Sequence, residues 1–138
     1  MVNPLLPQLL SYLRQHPDEG VTEYELMQRL QRQRLFDDIA DDDLLALYRK
    51  HFLIMNALYD LQDILWQEER RVLDISPLHI ELHGDRADPA DRDSGPDWYP
   101  ELSEYYLDWS WFEQTTASDV RTLLTGFWQS LKDRSPSH

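Results

Sequence analysis

The chain has 138 residues, with 26 Asp and Glu against 13 Lys and Arg, giving a formal net charge of -13. That imbalance repels nucleic-acid phosphates and anionic lipid, while the length suits one domain burying roughly 68% of its unfolded surface. Cysteine is absent, which excludes disulfide frameworks, thiol catalysis and Cys-based zinc sites. No stretch approaches the ~20 apolar residues of a membrane span, and MVNPLLPQLLSYLRQ lacks the basic region and cleavage site of a signal peptide. The expectation is an acidic cytoplasmic domain that binds neither nucleic acid nor membrane.

Asn3-Pro4 predicts a helix start, because proline at the first helical position loses no useful N–H. Leu5, Leu6, Leu9, Leu10 and Leu13 then form one apolar stripe, and His16-Pro17-Asp18-Glu19-Gly20 breaks the helix. Thr22 and Glu25 have the spacing of a capping box, with Val21 and Leu26 in the staple positions around it. A second helix is predicted over 23–34, burying Leu26, Met27 and Leu30 and carrying Arg29, Arg32 and Arg34 toward its C-terminal end.

Asp41, Asp42 and Asp43 offer a cap and favourable first-turn charge to a long third helix. It has no Gly or Pro from Leu44 to Glu68 and a wide apolar face including Leu44, Leu47, Tyr48, Phe52, Met55, Leu58, Tyr59, Leu65 and Trp66. About 26 residues would span ~39 Å, more than two short helices cover, so part of that face needs another partner. Strands are predicted at Val72–Ile75 and Leu78–Leu82, where Leu78, Ile80 and Leu82 alternate with polar residues. Three helices followed by a hairpin are similar to the winged-helix arrangement, an analogy of fold alone.

GDRADPADRDSGPD then reads as a polar mobile loop. Beyond it, residues 98–128 hold 9 of the chain's 16 aromatics, a density unsuited to solvent. Thr116 and Asp119 form a capping pair, and Val120, Leu123, Leu124, Phe127, Trp128 and Leu131 make a last amphipathic helix. The expected class is mainly α with a small β-hairpin (α+β): winged-helix-like three helices plus hairpin, followed by an aromatic clasp and a C-terminal helix. The expected units are a core at 1–83, a loop at 84–97, a docked aromatic segment and helix at 98–132, and a frayed tail or linker at 133–138.

Candidate chemistry is sparse. His79 and His83 share a strand face but lie ~13 Å apart, too far to chelate one ion. Asp88, Asp91 and Asp93 lack EF-hand spacing, and the acids around Asp41 serve as caps, so no metal or other cofactor is expected. No nucleophile elbow, P-loop or dinucleotide fingerprint occurs, leaving only a carboxylate-based small hydrolase as a weak enzymatic alternative. The three aspartates at its start set the third helix against reading a DNA groove. His51 is expected to pack at the edge of that helix.

The segments NPLLPQLLSYLRQHPDEGVTEYELMQRL, LYRKHFLIMNALYDLQ, LDISPLHIEL and YYLDWSWFEQTTASDV together resemble the N-terminal domain of bacterial DnaJ-related, J-domain-containing proteins. The resemblance covers nearly the whole chain outside the polar loop and the last residues. In that family the domain precedes a C-terminal J-domain, which would be expected to start where this sequence reaches His138. The resemblance implies a co-chaperone role alongside a DnaK-type chaperone, with direct ATPase stimulation left open. His16-Pro17-Asp18 shares its letters with the J-domain signature. Only fifteen residues precede it here, with Arg14 their one base, so it reads as an interhelical turn. The resemblance supplies no catalytic residues. The resulting expectation is a non-enzymatic accessory module that binds a client or partner through Tyr59, Trp66, Tyr105, Tyr106, Trp109 and Trp111. Homodimerisation through the long third helix is the alternative.

Overall fold

A computed structural model describes residues 3–36, 44–76, 78–85 and 100–122. In chain order these form α1 (Leu6–Gln15), α2 (Glu23–Arg32), α3 (Leu44–Glu69), β1 (Leu73–Ser76), β2 (His79–Leu82), α4 (Pro100–Leu107) and α5 (Trp109–Gln114). A further helical stretch occupies 117–122. The chain is thus mainly helical with one antiparallel hairpin.

Asn3 prepares α1 from outside the helix. Its Oδ1 accepts the Leu5 N–H at 2.9 Å, while its buried amide donates to the Leu53 carbonyl at 2.7 Å and to Asn56 Oδ1 at 3.0 Å. The helix itself starts at Leu6, two residues after the expected Pro4, and Asn3 ties its entry to the middle of α3. Leu9 and Leu13 bury the α1 stripe, and Leu26, Met27 and Leu30 bury that of α2. Fully burying each such side chain contributes about 1.5–3 kcal/mol before entropy is counted.

Thr22 and Glu25 form both halves of the capping box, and the staple residues Val21 and Leu26 are buried. The second helix ends at Arg32, two residues before the expected boundary. Arg34 takes a left-handed conformation (φ 61°), and Leu35 N–H returns to the Leu30 carbonyl at 3.1 Å. This Schellman closure normally uses glycine; here an arginine occupies it, so no sequence signal marked the stop.

The hairpin pairs Leu73 with Leu82 and Ile75 with Ile80. Leu73, Ile80 and Leu82 are fully buried, but Leu78, expected to point inward, is 83% exposed. It precedes the first β2 residue and belongs to the turn, so the alternation starts one step later than its leucines suggest. Val21 adds an antiparallel bridge to Ile80, with N–H···O distances of 2.9 and 2.7 Å. A single-residue strand between α1 and α2 therefore borders β2 on the side away from β1. That order, helix, bridge, two helices, hairpin, fits the winged-helix reading.

The third helix has the expected length, 26 residues. Phe52, Ile54, Ala57, Leu58 and Leu61 have no solvent exposure, and Gln62 donates to the Leu73 carbonyl at 2.9 Å. Helices α1 and α2, the hairpin and α4 all pack against it. Much of its apolar face is consequently covered within the chain, the aromatic segment included, whereas Leu47 stays 52% exposed.

Thr116 and Asp119 cap each other's backbone N–H groups reciprocally, as their spacing predicts. The expected Asp41–Asp43 cap, most of the expected 84–97 loop, the later residues of the expected last helix and the expected 133–138 tail lie outside the described residues. Among the described residues no helix is long and apolar enough to cross a membrane.

Candidate functional site

Tyr48, His51, Phe52, Met55 and Tyr59 recur three or four residues apart and so line one face of α3. Two short helices lie on that face. Pro100 opens α4 at a position where its missing N–H costs nothing, and Glu101 adds favourable first-turn charge. Asp108 opens α5 by accepting hydrogen bonds from Ser110 N at 3.0 Å and Ser110 Oγ at 2.6 Å. These bonds hold the Asp108 carboxyl below its ordinary range.

Phe52 is the hub. Its ring meets Tyr48, Tyr105, Tyr106, Trp109 and Phe112 at centroid distances of 5.7–6.1 Å and tilted or edge-on angles. Such geometries bring positive ring edges toward negative faces and add about 0.5–1.5 kcal/mol per pair beyond area burial. Tyr106 lies parallel to Tyr59 at 5.9 Å and 10°. Arg49 reaches over Phe112 at 5.9 Å, a cation–π contact that fastens α5 to α3.

Polar bonds fix the register. His51 bonds Glu23 of α2 through Nδ1 and the Tyr106 hydroxyl through Nε2 at 2.7 Å, so one imidazole joins α2, α3 and α4. Asn56 donates to the Tyr106 carbonyl at 2.7 Å and accepts from Asn3, which extends the connection to α1. The Tyr48 and Tyr105 hydroxyls bond each other. Burial first, then these surroundings, push both the Tyr105 and Tyr106 phenols above their ordinary range; the neighbours are Tyr48 for Tyr105 and Glu23 for Tyr106. Neither is poised to ionise near neutrality, so the tyrosines here serve as hydrogen-bonding and stacking groups.

The structure sorts the six expected contact residues. Tyr59 is 3% exposed behind Tyr106, so it supports the site from within the core and presents no surface to a partner. Tyr105, Tyr106 and Trp109 are half-buried. Trp111 is 46% exposed and stacks on Tyr105 at 5.3 Å and 26°. Trp66 lies two turns beyond Tyr59 on α3, with the Arg70 guanidinium 5.0 Å from its ring centroid. Five of the six therefore gather around Phe52, and Trp66 stands apart.

Tyr105 and Trp111 also wall a groove of about 430 Å³, completed by Gln114, Thr115, Asp119 and Thr122. Sequence reasoning missed Glu23, Asn56 and the joining role of His51. Tyr48, His51 and Phe52 were in view on the helix face, but their partners lie 28 to 57 residues away in the chain. The two helices of the clasp were missed as well, although Asp108 before Trp109-Ser110 carried a cap signal.

Searches of curated proteins and of solved structures found no match. A scan against protein-family models matched residues 3–131 to the family described as DNA-J related protein. That span takes in all seven named elements and the aromatic site, and the chain therefore belongs to the DNA-J related protein family.

Proposed function

We propose that this chain is a non-enzymatic accessory module of a DnaJ-like co-chaperone and that its aromatic edge holds an apolar segment of a protein client. The observation that carries the reading is Trp111: a large ring, 46% exposed, held by its stack on Tyr105 at the mouth of the groove. An indole already immobilised loses little rotamer freedom on binding and brings a large apolar area, the combination that concentrates energy in interfaces. Gln114 lines the same wall with its amide, while the Thr115 and Thr122 hydroxyls donate to the Trp111 and Ser118 carbonyls. In the full-length protein a J-domain would pass the held client to a DnaK-type chaperone, a role consistent with the cytoplasm.

Two features weigh against other assignments. The outer face of α3, bare in a groove-reading winged helix, is covered by α4. The same covering leaves less of α3 for homodimerisation, with Leu47 the exposed apolar side chain of its first turns.

The test is binding of a fluorescently labelled, permanently unfolded protein, followed by anisotropy. Trp111→Ser is expected to weaken binding by about tenfold or more, the range of an interface hot spot, with an unchanged melting temperature. Equal affinity of the variant and the parent would refute the assignment, and sedimentation of both would show whether self-association competes for the same surface.

A further inference from the structure

A second cluster lies at the hairpin, away from the aromatic site. Asp18, Glu81 and His83 each turn one ligand atom toward a common point, and these atoms lie within 4.8 Å of one another. Asp18 comes from the turn after α1, Glu81 from β2 and His83 from just beyond it. We propose that these three residues bind a zinc-class divalent transition ion, which staples the turn to the hairpin.

The argument rests on what holds each ligand. Asp18 sits in the left-handed region (φ 62°), its N–H donating to the Leu82 carbonyl at 2.8 Å and its Oδ1 accepting from Gly84 N at 2.9 Å. A Cβ at Gly84 would fall 2.6 Å from Asp18 Oδ2, so a larger residue there would push that carboxylate aside. His83 bonds Asp74 through Nε2 at 2.6 Å. With Nε2 donating to Asp74, Nδ1 is the ring nitrogen that faces Glu81, and a metal taking it must displace the proton that the surrounding carboxylates favour there. Glu81 is held through Oε1 by His79 Nε2 at 3.0 Å. The His79 ring itself lies so close to Gly20 that a Cβ there would come within 2.5 Å of it.

Each ligand is thus tethered through one atom, and the three candidate ligand atoms lie within 4.8 Å of one another. The gap between His83 Nδ1 and Glu81 Oε2, 3.7 Å, is too long for a hydrogen bond. It is close to the edge of a tetrahedron built on metal–ligand bonds of about 2.0–2.1 Å, which is ~3.4 Å. One imidazole nitrogen and two carboxylate oxygens suit zinc or a neighbouring transition ion better than calcium or magnesium, which take oxygen ligands. Three carboxylates, those of Asp18, Asp74 and Glu81, would also gain a divalent countercharge. The fourth nearby group, His79, is not one of the three ligands, but its Nε2 bonds Glu81 Oε1, so both strand histidines lean on the same carboxylate. The folded turn brings Asp18 in as the third ligand.

Calorimetric titration of the tag-free, chelator-dialysed chain with zinc chloride tests the site. One equivalent is expected to bind and to raise the melting temperature. Asp18→Asn keeps the turn's geometry while removing an anionic ligand, and is expected to weaken binding by about tenfold or more, as is His83→Gln. Zinc should move the nitrogen resonances of His83 and leave those of His16 and His51 in place. Absence of one-to-one binding, unchanged affinity in Asp18→Asn, equal affinity for calcium, or a shift centred on another histidine would each overturn the proposal.

Discussion

Replacing Phe52 with alanine should destabilise the whole domain, because the side chain joins the helical core to the aromatic segment. Phe52 has no solvent exposure and meets five aromatic rings. Truncating a buried phenylalanine costs about 3–5 kcal/mol through lost transfer energy and the cavity left behind. Loss of the ring pairs keeps this site well inside that range, at about 4 kcal/mol. With a urea dependence of about 2 kcal/mol per molar, the unfolding midpoint should fall by about 2 M. Far-UV circular dichroism reports the helices, and near-UV dichroism reports the ring cluster. In the parent chain both should give one coincident transition, since a shared core unfolds cooperatively. A separate, earlier near-UV transition in the parent, or a loss below about 1.5 kcal/mol in the variant, would refute the claim that α4 and α5 belong to the same core.

Two further outcomes follow from the polar framework. Asn3→Ala should cost about 2–3 kcal/mol in urea unfolding, because it leaves buried partners on Asn56 and the α1 entry unsatisfied; a loss under about 0.5 kcal/mol would show that Asn56 finds another partner. The raised Tyr105 and Tyr106 phenols favour the protonated folded state, so their contribution is fully present below about pH 10 and is lost as pH rises beyond it. Absorbance at the tyrosinate band should therefore show two phenols ionising only together with the loss of near-UV dichroism, and full titration of a chain that stays folded would contradict the burial.

The local sequence determined the elements whose signals are contiguous. The capping box at Thr22, the reciprocal pair at Thr116 and Asp119, the unbroken helix from Leu44 and the alternation through Ile80 and Leu82 all depend on neighbours within a few residues. Cap bonds and side-chain periodicity act over that range, so their spacing is written directly in the chain. The end of α2 was not legible, because Arg34 fills a left-handed position with a residue that does not announce it. The aromatic segment was legible as a docking element from its composition, whereas its division into α4 and α5 was not.

Charge and length set expectations about function before any element was placed, but they could not say which aromatic rings face water. Tyr59 and Trp111 belong to the same enriched set, yet one lies in the core and the other forms the rim of a groove. Burial depends on which surface covers which, and that is decided by contacts between residues 50 or more positions apart. The same holds for the Asp18, Glu81 and His83 cluster. Its members look like a helix-breaking turn and an ordinary strand when read along the chain. Only the Val21 bridge and the Asp18 bonds to Leu82 and Gly84 bring them to one point.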